Sequence, residues 1–188
     1  MASVRSQVSW LPVADALASA SSNGNPANPL RVLDIGGGVG SDAVRVASES
    51  HQVTVVDQSS DALAALQRRA REAGVEIVGI QGDGESLDPT MFEQLFDLAL
   101  CHGVIESAAD PLLLLKSIAK VLKPGGVISV QAPGLLAGLR HAVATGDTAL
   151  AITLVNADVG SWDFDTCGPR RYSWHEIGAL VEAAGFSL

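Results

Sequence analysis

Basic side chains are scarce in this chain: 12 Lys and Arg stand against 21 Asp and Glu, a formal net charge of −9. That balance excludes a broad phosphate-binding face, because nucleic-acid affinity draws on clustered Lys and Arg, and leaves room only for local basic patches. Cysteine is nearly absent. Cys101 and Cys167 are the only two, and their separation fits neither metal-ligand spacing nor a disulfide framework, so both read as ordinary thiols in a reducing cytoplasm. No pair of His, Cys or carboxylate residues has ligand spacing, and no metal is expected. No apolar run reaches the roughly 20 residues of a membrane span, and no basic stretch leads into an apolar segment at the start. The reading is a soluble cytoplasmic protein with no membrane partner.

What is present is enough apolar material for one core. With 47% hydrophobic residues in 188 positions, the whole chain, 1–188, reads as a single domain. From residue 30 onward short β-branched runs alternate with helical apolar spacing, the pattern of a doubly wound, mostly parallel α/β sheet covered on both faces. Strands are expected at Arg31–Ile35, Gln52–Asp57, Val75–Gln81, Phe96–Cys101 and Val127–Ala132. Helices are expected near Ser41–Glu49, Ser59–Ala73 and Pro111–Leu122, opened by Ser or Asp caps or by proline in the first turn. Residues 1–29 read as a helix, about Val4 to Ala20, and a turn-rich loop. Residues 134–160 carry two apolar helical patches that form an insert near the acceptor side, and Tyr172–Ala184 reads as a last helix ending at Gly185. Phe186-Ser187-Leu188 looks like the start of a strand, so the sheet is expected to lack its final antiparallel strand here, as in a truncated product.

Strand Val32-Leu33 runs into Asp34, then glycines at 36, 37, 38 and 40, then a helix near Ser41. Glycine lets the backbone turn sharply and a ligand come close, and a helix start offers free N–H groups. Asp57 closes the second strand, where a carboxylate can accept from both ribose hydroxyls. Together these point to a nucleotide cofactor, against a bare strand-to-helix turn. Two classes compete, because Gly38-Val39-Gly40-Ser41-Asp42-Ala43 also fits a dinucleotide fingerprint ending in alanine. Three features favour S-adenosylmethionine (SAM). Asp34 puts a carboxylate where a pyrophosphate would need neutral donors but a methionine ammonium group would be attracted. Gly82-Asp83-Gly84-Glu85 supplies acceptors where an adenine amino group should lie. Leu122-Lys123-Pro124-Gly125-Gly126 stops a helix ahead of the fifth strand.

In the order and spacing of these pieces, with Phe96-Asp97-Leu98-Ala99-Leu100-Cys101-His102, the chain resembles the class I SAM-dependent methyltransferases over nearly its whole length. It resembles more narrowly the bacterial tRNA methyltransferases that esterify 5-carboxymethoxyuridine. The similar segments are Arg5 with Trp10, His102-Gly103-Val104-Ile105-Glu106 with Ala109-Asp110-Pro111, and Gly134-Leu135-Leu136. That resemblance implies that Arg5 holds the methionine carboxylate, that Gly36 and Gly37 contact the methionine part, and that Asp57 holds the ribose. It also implies that Gly84, Glu85 and His102 complete the pocket around adenine and the sulfonium. Gly38 and Asp83 belong to the same expected cofactor set. The chain departs from the tRNA enzymes before its last helix, where a lysine-rich stretch is replaced by acidic residues between Asp158 and Asp165, leaving only Arg170 and Arg171.

Methyl transfer from a sulfonium is an in-line displacement, so alignment supplies much of the acceleration. A carboxylate acceptor is already ionised near neutral pH. A phenol or alcohol would need a base, and His102 and Glu106 are the candidates, since both follow the fourth strand at the carboxyl edge of the sheet. His102 reads more readily as cofactor-pocket lining than as base or core histidine, and Glu106 as a loop carboxylate. His51 reads as solvated, Arg140 and His141 as an exposed helix face or acceptor cap, and His175 with Glu176 as a helix cap. Trp162, Phe164, Tyr172 and Trp174 with Arg170 and Arg171 form the one aromatic and basic cluster, read as core or lid packing or as a stacking platform. The leading reading is a SAM-dependent methyltransferase acting on an oxygen nucleophile, the acceptor being tRNA or a small molecule of specialised metabolism. A non-catalytic SAM- or NAD-binding module is the reading of another class. Oligomeric state and acceptor identity are not encoded in spacing.

Overall fold

The computed structural model describes residues 4–22, 29–156 and 169–188, and side chains within the first helix from Trp10 to Ser21. Cys167, Trp162, Phe164, the acidic 158–165 stretch and the Arg5 side chain lie outside the described residues. The elements in chain order are α1 (Val4–Ser22), β1 (Arg31–Ile35), α2 (Ser41–Ser48), β2 (Gln52–Asp57), α3 (Ser60–Ala73), β3 (Ile77–Gln81), β4 (Phe96–His102), α4 (Pro111–Val121), β5 (Leu122–Gln131), α5 (Leu135–Thr145), α6 (Thr148–Asn156) and α7 (Trp174–Ala183). Two 3-10 turns, Gly84–Ser86 and Pro89–Met91, join β3 to β4 in place of a helix.

The five strands run parallel in the order β3-β2-β1-β4-β5. The β-branched runs produce this because central parallel strands are buried on both faces, and Val32, Leu33, Asp34 and Ile35 of β1 are all buried. On one face Val32, Val55, Leu98 and Leu100 meet Trp10 and Val13 of α1, Val46 of α2 and Leu66 of α3. On the other, Leu33, Ile35, Ala99 and Cys101 meet Leu114, Leu115 and Ile118 of α4 and Val181 of α7. The strand order reverses between β1 and β4, so their carboxyl ends part and open a crevice.

Several boundaries differ from expectation for local reasons. β3 starts at Ile77, not Val75, because the Val75 N–H closes the end of α3 on Ala70 O at 3.0 Å, beside Gly74 at φ +70°. β5 starts at Leu122, which already pairs with Phe96; Lys123 to Gly126 then bulge out before Val127 pairs with Leu98. Lys123 Nζ in that bulge meets Asp97 Oδ1 at 2.7 Å. α2 has no Ser or Asp cap: its N-cap is Gly40 in the left-handed region. Ser59 and Asp110 do cap α3 and α4, accepting from Ala62 N and Leu113 N. Tyr172 is outside the last helix, which Ser173 and Glu176, not His175, open as a reciprocal capping box. Phe186–Leu188 forms no strand, and Phe186 packs on the α4 face. His51 is not merely solvated, since its Nδ1 accepts from Leu30 N at 3.2 Å. No described helix is long and apolar enough to cross a membrane.

Gly40 carries φ +76°, and a Cβ there would run into the Leu66 side chain. Gly40→Ala is therefore expected to lower unfolding stability by about 2–4 kcal/mol, strain and overpacking together. A denaturant melt read by circular dichroism checks this, and an unchanged midpoint would contradict it.

Candidate functional site

At the parted strand ends lies a cleft of about 390 Å³, bounded by Ile35 and Gly36 at the end of β1, Asp57 and Gln58 at the end of β2, Gly82 to Glu85 after β3 and Gly103, Val104, Ser107 and Ala108 after β4. The glycine turn forms its floor. Gly36 and Gly38 sit at φ +60° and +55°. A Cβ on Gly36 would come 2.5 Å from Val104 Cγ2, and one on Gly37 would strike the Asp34 carboxylate, while one on Gly38 would meet almost nothing. Glycine is thus demanded by packing at 36 and 37, and by backbone conformation at 38.

The amides of this turn are already engaged. Gly36 N–H donates to Val56 O at 2.8 Å, Gly40 N–H to Gly37 O at 2.9 Å and Gly38 N–H to Asp57 Oδ2 at 2.9 Å. Asp57 Oδ1 accepts from Ser59 N at 2.8 Å, so Asp57 holds the turn and keeps further lone pairs for a guest. Asp83 Oδ1 accepts from Glu85 N at 2.9 Å and caps the following 3-10 turn. Glu85 clamps the entry of α4, taking Ala109 N–H at 2.7 Å and Asp110 N–H at 3.1 Å on its two oxygens. Ser117 Oγ donates to Gly84 O behind it.

Asp34 lies beneath the turn, only 5% exposed. Burial first, then the charges of Asp42 and Asp57, push its carboxyl up to about 7. His102 does not line the cleft; the wall there is Gly103. The His102 ring shares a 2.8 Å hydrogen bond with Ser129 Oγ of β5 through Nε2, and its Nδ1 is buried without a partner. Burial pulls its pKa down to about 4, so the ring is neutral. Glu106, in the turn after β4, is half-buried with Oε2 unpartnered, and burial raises its pKa. Burial, with Glu106 and Asp34 nearby, lifts the Cys101 thiol to about 12, leaving it unreactive.

Of the residues expected from sequence, Gly36, Asp57, Asp83, Gly84 and Glu85 line the cleft, while Asp34, Gly37 and Gly38 do not line it: Gly37 packs on the buried Asp34 carboxylate and Gly38 N–H donates to Asp57. His102, at the end of β4, and Glu106, in the turn after it, are not among the residues that line the cleft. Arg140, His141 and Trp174 are exposed; of the expected aromatic and basic cluster, the Arg170 guanidinium lies 5.4 Å from the centroid of the buried Tyr172 ring, and Trp162 and Phe164 lie outside the described residues. Gln58, Val104, Ser107, Ala108, Leu114 and Ser129 were not legible: none is a residue type that announces a ligand. Among the described residues no group of His, Cys, Asp and Glu could hold a metal.

The donor set discriminates between cofactors. Asp57, Asp83 and Glu85 line the cleft with Asp34 behind, no Lys or Arg among the described side chains does, and the turn's amides at 36, 38 and 40 are spent. A pyrophosphate would meet carboxylates instead of donors. Ribose hydroxyls, an amino-purine edge and an ammonium group suit the same walls, so the residues fit SAM.

A methyltransferase-domain family model matches residues 27–185. Among curated relatives, the tRNA 5-carboxymethoxyuridine methyltransferase of Escherichia coli K12 is 38% identical over 112 residues, covering 57% of this chain and 42% of that protein. The ubiquinone biosynthesis O-methyltransferase of Vibrio cholerae is 35% identical over 96 residues, 51% of this chain and 39% of that protein. The chain thus spans about two-fifths of the length of these relatives. In fold it is similar to magnesium protoporphyrin IX methyltransferase from Synechocystis PCC 6803 (TM-score 0.69, 18% identity, 97% of this chain and 74% of that one). It is also similar to the plantazolicin methyltransferase solved with S-adenosylhomocysteine (TM-score 0.64, 17% identity, 93% and 60%).

A raised carboxyl pKa means the fold prefers Asp34 protonated. Its penalty is absent below about pH 3, grows as the unfolded chain ionises first, and is complete above about pH 7. Asp34→Asn should therefore unfold at the same point as wild type near pH 3 and be more stable at pH 8, by on the order of 2–4 kcal/mol. Melts at the two pH values check this; a variant less stable at pH 8 would reverse the sign.

Proposed function

The chain belongs to the class I SAM-dependent methyltransferases, and from that premise we propose that it transfers the methyl group of SAM to an oxygen nucleophile. The observation that carries this reading is the acceptor-lined cleft over the glycine turn. Asp57, with lone pairs left after binding Gly38 and Ser59, would accept from the ribose hydroxyls, and Asp83 from the adenine amino edge. Gly36 and Gly37 would let the methionine part lie against the backbone, and Asp34 would balance its ammonium group. Gly84 and Glu85 would form the wall beside adenine, and Arg5 is proposed for the methionine carboxylate. When bound, SAM supplies a methyl carbon made electrophilic by the attached sulfonium.

The acceptor side favours an oxygen that arrives already ionised. A histidine whose conjugate acid has a pKa of about 4 is a weak base toward a phenol or alcohol, which leaves Glu106, its pKa raised by burial, as the base such an acceptor would use. A carboxylate needs neither. In this reading His102 and Glu106 orient the acceptor and exclude water, and the transfer itself rests on alignment. The carboxylate of a modified wobble uridine in tRNA is such an acceptor. A carboxyl-bearing small molecule is the second reading, favoured by the net charge of −9 and by the apolar side chains of Leu136, Val143 and Ile152 exposed on α5 and α6.

Calorimetry with S-adenosylhomocysteine should show micromolar binding that Asp57→Ala weakens at least tenfold; no heat with the wild-type chain would defeat the proposal. Binding that is never accompanied by turnover on any acceptor would instead favour a non-catalytic module. Bulk tRNA from a strain lacking the protein separates the acceptors, since methyl incorporation at the wobble uridine supports tRNA and its absence the small molecule. With a carboxylate acceptor, kcat should stay flat from pH 6 to 9 while the KM for SAM rises below about pH 7, as Asp34 takes up its proton. A kcat that climbs tenfold per pH unit would point to a base and a phenolic acceptor.

A further inference from the structure

Tyr172 is the chain's single tyrosine, is buried, and belongs neither to the cleft nor to a helix. Its hydroxyl donates to Ile105 O at 3.0 Å, inside the turn that follows β4. Two residues earlier, Arg170 N–H donates to Glu106 O at 3.1 Å in the same turn. On its other side Tyr172 N–H donates to Pro133 O at 2.9 Å and Tyr172 O accepts from Leu135 N at 2.9 Å, a parallel bridge to Gly134 at the start of α5. Arg171 between them lies against α5 so closely that a Cβ on Gly138 would come 2.6 Å from its Cδ. Residues 170–172 therefore fasten the turn after β4 to the α5 that opens the acceptor side.

That turn is also a wall of the cofactor cleft. Gly103, Val104, Ser107 and Ala108 line the cleft, and Val104 is the residue packed on Gly36. Glu85 holds the far end of the same segment through Ala109 and Asp110. A guest pressing on Val104 acts on a short segment tied down at Ile105 and Glu106 by the strap.

We propose that Arg170–Tyr172 couples the two halves of the site, and that Tyr172 is a positioning residue through which a filled cofactor cleft sets the placement of α5. This rests on the methyltransferase reading. Its consequence is ordered binding, cofactor before acceptor, and by linkage an acceptor that tightens cofactor binding by the same factor.

The test uses the whole chain with S-adenosylhomocysteine as probe, read by calorimetry and by hydrogen exchange. In the wild type, ligand should slow exchange both at the cleft, Gly36–Gly38 and Asp83–Glu85, and at the distant amides of residues 135–138 and 170–173. Tyr172→Phe keeps the ring and removes one hydrogen bond, so it should weaken binding three- to tenfold and abolish the distant protection while the cleft stays protected. Ser173→Ala, which deletes the neighbouring α7 cap, is the control for mere destabilisation and should leave both affinity and distant protection intact. Distant protection that survives in Tyr172→Phe, or is lost equally in Ser173→Ala, would overturn the coupling while leaving the cofactor reading standing. Absence of any binding by the wild type would overturn the cofactor reading and this proposal with it.

Discussion

The carboxylate of Asp57 organises the nucleotide end of the molecule. A turn containing three consecutive glycines has little conformation of its own, and Gly36 and Gly38 lie in the left-handed region at φ +60° and +55°. Asp57 gives it one. By taking Gly38 N–H at 2.9 Å and Ser59 N–H at 2.8 Å, it ties the tip of β1 to the end of β2 and to the first turn of α3. Gly36 donating to Val56 adds a second tie between the same strands. The crevice that strand order opens between β1 and β4 thus receives a stiff floor on its β2 side, and Gly37, Gly38 and Asp34 are placed by that floor.

The same arrangement concentrates negative charge. Asp34, Asp42 and Asp57 are close enough to raise the Asp34 pKa together with burial, in a chain that is already strongly acidic. Buried like charges oppose folding, so the cluster is understandable as the cost of a site whose guest brings a positive charge. Spending the loop amides internally works in the same direction. It leaves the cleft rich in acceptors and poor in donors, which separates an ammonium-bearing nucleoside from a pyrophosphate more sharply than the glycine spacing does.

The sheet was legible because a parallel sheet buried on both faces leaves short β-branched runs, and β1 and β2 are found at the expected residues. Boundaries slipped where backbone bonds, not side-chain type, set them: the α3 exit that delays β3 to Ile77, and the bulge at Lys123–Gly126 that lets β5 begin at Leu122. At the site, Gly36, Asp57, Asp83, Gly84 and Glu85 were legible from their places after successive strands. What could not be read was how each carboxylate is occupied. Glu85 looks in sequence like a free acceptor, yet both its oxygens hold the entry of α4. His102 looks like cleft lining, yet strand alternation turns it toward Ser129.

The acceptor side was least legible, and the reason is chemical. Its scaffold consists of main-chain bonds, Arg170 to Glu106, Tyr172 to Pro133 and Leu135 to Tyr172, which almost any residue could make. Among the described side chains the Tyr172 hydroxyl on Ile105 O, the Arg170 guanidinium over the Tyr172 ring and Arg171 against Gly138 add to it, and no one of these residue types announces such a place by itself. Cofactor recognition depends on residue types at strand tips and can be read from spacing. The start of α5 and residues 170–172 are placed instead by main-chain bonds to one another and to the turn after β4. The cleft can therefore be read from residue types at strand tips, whereas the packing of residues 133–138 and 170–172 is set by bonds that no residue type announces.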